Sequence, residues 1–189
     1  MKKTLLTILC TVLVCSCVMG ATLALIMDKT ETITNTFTIG SIDIDLTEST
    51  GTSYKMVPGA TIAKDPKVTV KNGSEACWLF IKVEKSTNFA DFMTYAMAEG
   101  WTELEAGVYY RKVEATTADT PFAVLDGNKV TVKSEVTNAM AAALTTDTYP
   151  TLKFTAYAVQ LTDGTTEFTP AAAWTQAQAA AIYNAPTAG

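Results

Sequence analysis

The 189-residue chain contains no histidine. Without one there is no Ser-His-Asp triad, no Cys-His nucleophile pair and no histidine-based zinc site. A histidine switch between pH 5 and 8 is excluded for the same reason. Cysteine is scarce as well. Three of the four, Cys10, Cys15 and Cys17, sit in the apolar N-terminal stretch, and only Cys77 lies beyond it. A chain cut after that stretch can form no internal disulfide, so it relies on its core or on assembly. No glycine-rich phosphate loop follows a strand pattern, which leaves nucleotide binding without support. Basic residues are outnumbered, with 14 Lys and Arg against 19 Asp and Glu. An acidic chain of this kind lacks the positive surface that nucleic acid demands.

What is present begins with Lys2 and Lys3, followed by an uncharged run that ends only at Asp28. A short basic region, an apolar run and then small residues read as a secretory signal covering residues 1–24. Thr22 and Ala24 are the small residues before the cut, and Leu25 becomes the new N-terminus. Retention of the run as a bilayer anchor and lipidation at Cys17 are the alternatives. Cleavage removes two lysines and no acid, taking the formal charge from −5 to −7 and leaving 165 residues. That length suits one domain, residues 25–189, secreted and with no membrane anchor after cleavage.

The remainder is rich in Thr, Val, Ile and Tyr, which favour pleated, half-buried surfaces. Every even position from Thr30 to Thr38 is threonine, while Ile33, Phe37 and Ile39 take odd positions. This period of two predicts a strand with one apolar and one hydroxylated face. The parity then flips to Ile42, Ile44 and Leu46, so Gly40-Ser41 is expected to be a bulge or bend. Pro58-Gly59 suits the centre of a type II turn, and Asn72-Gly73 and Asp126-Gly127 mark tight turns. "ACWLFIKVE" is the most apolar run and is predicted to be a central strand, with Cys77 a buried hydrophobe within it. "PKVTVK", "GVYYRKV", "NKVTVKSEV" and "TLKFTAYAVQL" complete a set of short strands that indicates an antiparallel β-sandwich, an all-β fold.

Helix is expected to be minor. "FADFMTYAMAEG" predicts about three turns, with Asn88 as N-cap and Gly100 as stop. "TNAMAAAL" predicts a turn or two. "TPAAAWTQAQAAAIY" has Thr169 as cap and Pro170 at the first helical position, with Trp174 and Ile182 placed to pack on the sheets.

Carboxylates are the remaining route to chemistry. Asp43 and Asp45 share one strand face and Glu48 follows, a pattern open to weak calcium binding or acid-base work and equally to a solvated face. Trp78, Trp101, Tyr109, Tyr110 and Trp174 suit a sugar-binding face or ordinary core packing. The balance is a non-enzymatic chain with no catalytic residue, no cofactor and no resident metal.

Three stretches together resemble the TasA/camelysin family of exported biofilm-matrix proteins of Gram-positive bacteria. They are "ATLALIMDKTETITNTFTIGSIDIDLTES", "MVPGATIAKDPKVTVKNGS", and "TLKFTAYAVQ" followed by "AAAW". The resemblance implies a jelly-roll β-sandwich with a few short helices. It also implies export through a dedicated signal peptidase and assembly into extracellular fibres, in which an N-terminal strand of one subunit completes the sheet of its neighbour. Camelysin-type members have been labelled metalloproteases. This chain has no HExxH and no histidine, so that activity is not carried over.

A strand at a newly cut N-terminus can leave its own sheet without unravelling the rest. Leu25, Met27, Ile33, Phe37 and Ile39 share one parity, and residues 25–39 are therefore the expected donor strand. The partner is another copy, or a related matrix subunit. An ordinary first strand within one subunit is the alternative, and at the level of function so is a monomeric surface module binding a glycan or a protein. "APTAG" has the wrong order for a wall-sorting signal, and no hydrophobic tail follows it.

Overall fold

Alternating apolar residues place strands in register across three antiparallel sheets. The computed structural model describes residues 41–51 and 54–183, the side chains of 180–183 excepted. Thr22, Ala24, Leu25 and the rest of the expected donor strand (Met27, Ile33, Phe37, Ile39) lie outside the described residues, as do the expected signal segment 1–24 and Gly40.

Ten strands follow in order: β1 (Ile44–Thr47), β2 (Thr61–Ala63), β3 (Lys67–Val70), β4 (Cys77–Lys85), β5 (Met93–Thr94), β6 (Thr102–Glu105), β7 (Val108–Val113), β8 (Thr120–Ala123), β9 (Lys129–Val132) and β10 (Leu152–Gln160). Among the described residues three α-helices, α1 (Phe89–Phe92), α2 (Asn138–Ala142) and α3 (Pro170–Tyr183), and a 3-10 turn at Asp126–Asn128 accompany them. The sheets are ordered β1-β3-β8, β10-β4-β7-β6 and β2-β9-β5, with every pairing antiparallel. The expectation of an all-β fold with a few short helices holds.

β4 is the central strand, as its composition predicts. Its nine residues are flanked by β10 along their full length and by β7. Cys77, Leu79, Ile81 and Val83 point to one side, where they meet Val68 and Val70 of β3. Trp78 and Phe80 point to the other, where they meet Ala173, Trp174 and Ala177 of α3. Covering both faces explains why the run is apolar almost without interruption rather than alternating. Each fully buried Leu79, Phe80 or Ile81 contributes roughly 1.5–3 kcal/mol.

α3 begins as its sequence predicts. Thr169 Oγ1 accepts from the Ala172 amide at 3.3 Å, ahead of Pro170. Its inner face is Ala173, Trp174 and Ala177, small on both sides of one large ring, which lets the helix sit close to β4. Two indole bonds fix it: Trp174 Nε1 donates to Glu105 Oε1 at 2.7 Å, and Trp78 Nε1 donates to the Phe168 carbonyl at 2.8 Å.

The expected helix over "FADFMTYAMAEG" is overturned after one turn. Only Phe89–Phe92 is helical; Met93–Thr94 pairs with β9 and Met97 bridges Leu125. Phe89, Phe92, Met93 and Met97 do follow a helical spacing, so the local pattern favours a helix, and ladder partners on β9 outcompete it here. Asn88 adopts the helical region with no side-chain cap bond, its amide donating instead to the Thr148 carbonyl at 2.8 Å. Gly100, at φ +87°, serves a turn and ends no helix. Pro58-Gly59 forms the expected turn, with φ +73° at Gly59 and the Ala60 amide bonded to the Val57 carbonyl at 2.9 Å.

Candidate functional site

β10 makes one edge of its sheet. It is the longest edge strand described, and its sequence "LKFTAYAVQ" carries a single charge, Lys153. The Leu161 amide bonds the Ala76 carbonyl at 3.0 Å, and the Ser86 amide bonds the Thr151 carbonyl at 3.1 Å. In an antiparallel ladder these two bonds fix the alternation: odd-numbered residues of the strand exchange bonds with β4. The N–H and C=O groups of Leu152, Phe154, Ala156, Ala158 and Gln160 therefore point away from it. Among the described residues no backbone bond satisfies them.

Two of the other edges, β6 and β8, are blunted. β6 carries Glu103 and Glu105 with a bulge between them. β8 carries Pro121, which has no N–H to offer. β1 is the edge of the opposing sheet on the same side as β10. Its partly buried Ile44 and Leu46 join the core that also takes Phe154, Ala156 and Ala158, and no ladder bond joins the two strands.

At the N-terminal end of β10 lies a groove of about 900 Å³. Ile62 of β2, Phe89 of α1, Met93 of β5 and Val130 of β9 form its floor, and Leu144 and Leu152 line its wall. Val57 and Tyr149, the two large hydrophobic residues most exposed among the described residues, at 57% and 52%, stand on its rim. Its charged lining residues are Lys55, Lys64 and Lys153, with no carboxylate among them.

Lys64 is 9% exposed and is held from behind. Its ammonium lies 2.6 Å and 2.9 Å from the two Glu48 oxygens and within 6 Å of the Tyr54 and Phe154 ring centres, at 5.3 and 5.8 Å. Glu48 Oε1 also accepts from Tyr54 Oη at 2.9 Å and Thr50 Oγ1 at 3.1 Å. Neighbouring Asp65 ties down the same loop. It accepts from the Ser49 hydroxyl and amide, and from the Thr50 amide, and these bonds hold its carboxyl down at about 2.

The carboxylates singled out in the sequence do not converge. Asp43, just before β1, and Asp45, on it, are exposed, Asp45 reaching Lys71 at 3.9 Å, while Glu48 turns to Lys64. Among the described residues no group of three metal-ligating side chains is arranged to hold an ion. The aromatics do not form a sugar-binding platform. Trp78, Tyr110 and Trp174 pack with Phe80 between β4 and α3. Trp101 and Phe122 enclose the Arg111 guanidinium, 5.3 and 4.0 Å from their ring centres, and burial lowers the Arg111 pKa. Tyr109 packs against the core of β3 and β4. Cys77 is fully buried and its thiol is pushed up to about 11 by desolvation.

The groove was not singled out by sequence reasoning. Its residues are dispersed from Tyr54 to Lys153, and only the sheet topology gathers them. No protein-family model, no curated protein and no solved structure matches the chain.

Proposed function

We propose that this chain is a secreted, non-enzymatic structural subunit of extracellular matrix fibres, with a jelly-roll sandwich completed between subunits. Residues 25–39 of one copy add to the outer edge of β10 in the next. The observation that supports this reading is the character of that edge: nine residues, one charge, no proline and a row of backbone groups that no described residue satisfies. Natural sheets blunt such an edge or use it. An added strand with Ile33, Phe37 and Ile39 on one face extends the apolar surface of Phe154, Ala156 and Ala158. Burying three such side chains contributes on the order of 5–9 kcal/mol before ordering costs. A contact between different surfaces of identical subunits does not close on itself, so it grows a filament.

The N-terminal resemblance to exported matrix proteins supports the same reading, including processing between Ala24 and Leu25 and a self or related-subunit partner. Electron microscopy and size-exclusion chromatography of purified protein test it. Filaments with a regular repeat that vanish when residues 25–39 are deleted are the expected result. A protein that stays monomeric with its N-terminal strand intact would instead support a surface-binding module and end the fibre reading.

A further inference from the structure

We propose that the groove at the start of β10 binds a single-chain anionic amphiphile, an aliphatic tail bearing one anionic head. This goes beyond the fibre reading and does not depend on it, because it uses the floor of the groove and not the outer edge of β10.

A volume of about 900 Å³ lies within the range of roughly 300–1,000 Å³ typical of small-ligand sites. Most of the lining side chains, Ile62, Phe89, Met93, Val130, Leu144 and Leu152 among them, present carbon and thioether sulfur, a surface that suits an aliphatic chain better than a sugar or a nucleotide base. Met56 and Met93 are unbranched and adapt their shape to a flexible chain. Val57 and Tyr149 continue the apolar surface out to solvent, a feature a soluble chain retains where something covers it.

Charge selects the head group. Lys64 is neutralised by Glu48 from behind. Lys55 and Lys153 are exposed, line the same groove and meet no carboxylate among its lining residues. A cationic amphiphile would be repelled there, and a neutral one would forgo both lysines. A carboxylate or phosphate head at Lys55 and Lys153, with its tail over Ile62 and Met93, satisfies charge and apolar area together.

The test uses the full chain and dodecanoate carrying a photoreactive group at its tail. After irradiation, peptide mapping should place the label on residues of the groove, such as Met56, Met93 or Leu144. Dodecanol and dodecyltrimethylammonium should compete at least about ten-fold more weakly than dodecanoate, the margin expected from two rim charges. Replacing both exposed lysines by glutamine (K55Q/K153Q) should remove that preference while leaving the alcohol unaffected, and neither substitution touches the core. Ile62→Trp should block labelling by filling the floor. Dodecyl phosphate and lysophosphatidic acid distinguish the source of the head: equal competition with dodecanoate assigns a general anionic head, and preference for one assigns that source. Label confined to the apolar N-terminal run, or a carboxylate bound no better than the alcohol, would overturn the proposal. So would labelling that appears only after residues 25–39 are deleted, because the chain's own strand would then be the occupant.

Discussion

The Lys64 ammonium lies 2.6 Å from Oε1 of Glu48, and the pair is largely withdrawn from water, with side chains 11% and 21% exposed. A pair in this position falls between two regimes. Exposed pairs are worth about 0–1 kcal/mol, whereas stranding one partner of a buried pair costs about 3–5 kcal/mol. Glu48→Gln keeps the carbonyl that Tyr54 and Thr50 donate to, but leaves Lys64 charged between two rings. Lys64→Met removes the charge and keeps the stem. Each single change should cost about 2 kcal/mol, and the double variant clearly less than their sum. Urea denaturation of the four proteins gives the coupling. Additive effects would show that the pair contributes no mutual stabilisation.

Gly107 is a second sensitive point. Its φ is +79°, and a Cβ there would sit 2.7 Å from the Val83 carbonyl oxygen. The same turn carries the bond from the Val83 amide to the Gly107 carbonyl, at 2.7 Å. Gly73 has a similar φ of +83° with open space around it. Gly73→Ala should cost about 1–2 kcal/mol for the conformation alone. Gly107→Ala should cost distinctly more, because backbone has to move as well. Equal denaturation midpoints for the two variants would contradict the packing at β7.

Cys77 and Tyr95 give the protein an alkaline limit. Burial raises the thiol from 9.0 to about 11 and the phenol from 10.0 to about 12. In both cases the folded state holds its proton more tightly than the unfolded chain. The stabilisation is complete below about pH 9 and is lost as pH rises toward 12, since the unfolded state deprotonates first. Thermal midpoints should therefore fall between pH 9 and 12. Cys77→Ala should flatten the lower part of that fall, at the cost of a small cavity. Ellman's reagent should leave native Cys77 unmodified at pH 8 and react once the protein is unfolded. Rapid native labelling would contradict a buried thiol.

Much of the sheet was legible in the sequence because its strands carry their own period. Ile42, Ile44 and Leu46 are partly buried while Asp43, Asp45 and Thr47 are exposed, as alternation requires. "CWLFIKV" declared itself central by having no polar face. The segment after Phe92 was misread because Tyr95 to Gly100 has helix-compatible composition, and its pairing with β9 and Leu125 is a long-range event that local sequence does not record. β2, β6 and β8 read "TIA", "TELE" and "TPFA", without the alternating β-branched residues that mark the equally short "KVTV" of β3 and β9. The groove was invisible for a related reason. Lys64 reads as a surface lysine until Glu48, Tyr54 and Phe154 are folded around it.

The edge of β10 gives the fibre proposal its sharpest test. Ala158 directs its N–H outward, so proline there removes no bond to β4. Ala158→Pro should leave a folded monomer, weakened by about 1 kcal/mol through the altered φ, and should abolish filament growth. Ala156→Pro should act in the same way. Val159→Pro removes an amide that faces β4, so it should unfold the sheet and cost about 3 kcal/mol or more. On the donor side, Ile33→Asp or Phe37→Asp should stop growth by placing a charge against Phe154 and Ala156, at a cost of several kcal/mol. Thr34→Asp, on the opposite parity, should be mild. Mixing decides between donor and acceptor faults. An Ala158→Pro subunit still donates its own strand and should cap one filament end, whereas a Phe37→Asp subunit still accepts and should cap the other. Filaments that elongate normally from Ala158→Pro subunits would show that the partner strand pairs elsewhere, and the outer edge of β10 would then need another explanation for its lack of charge.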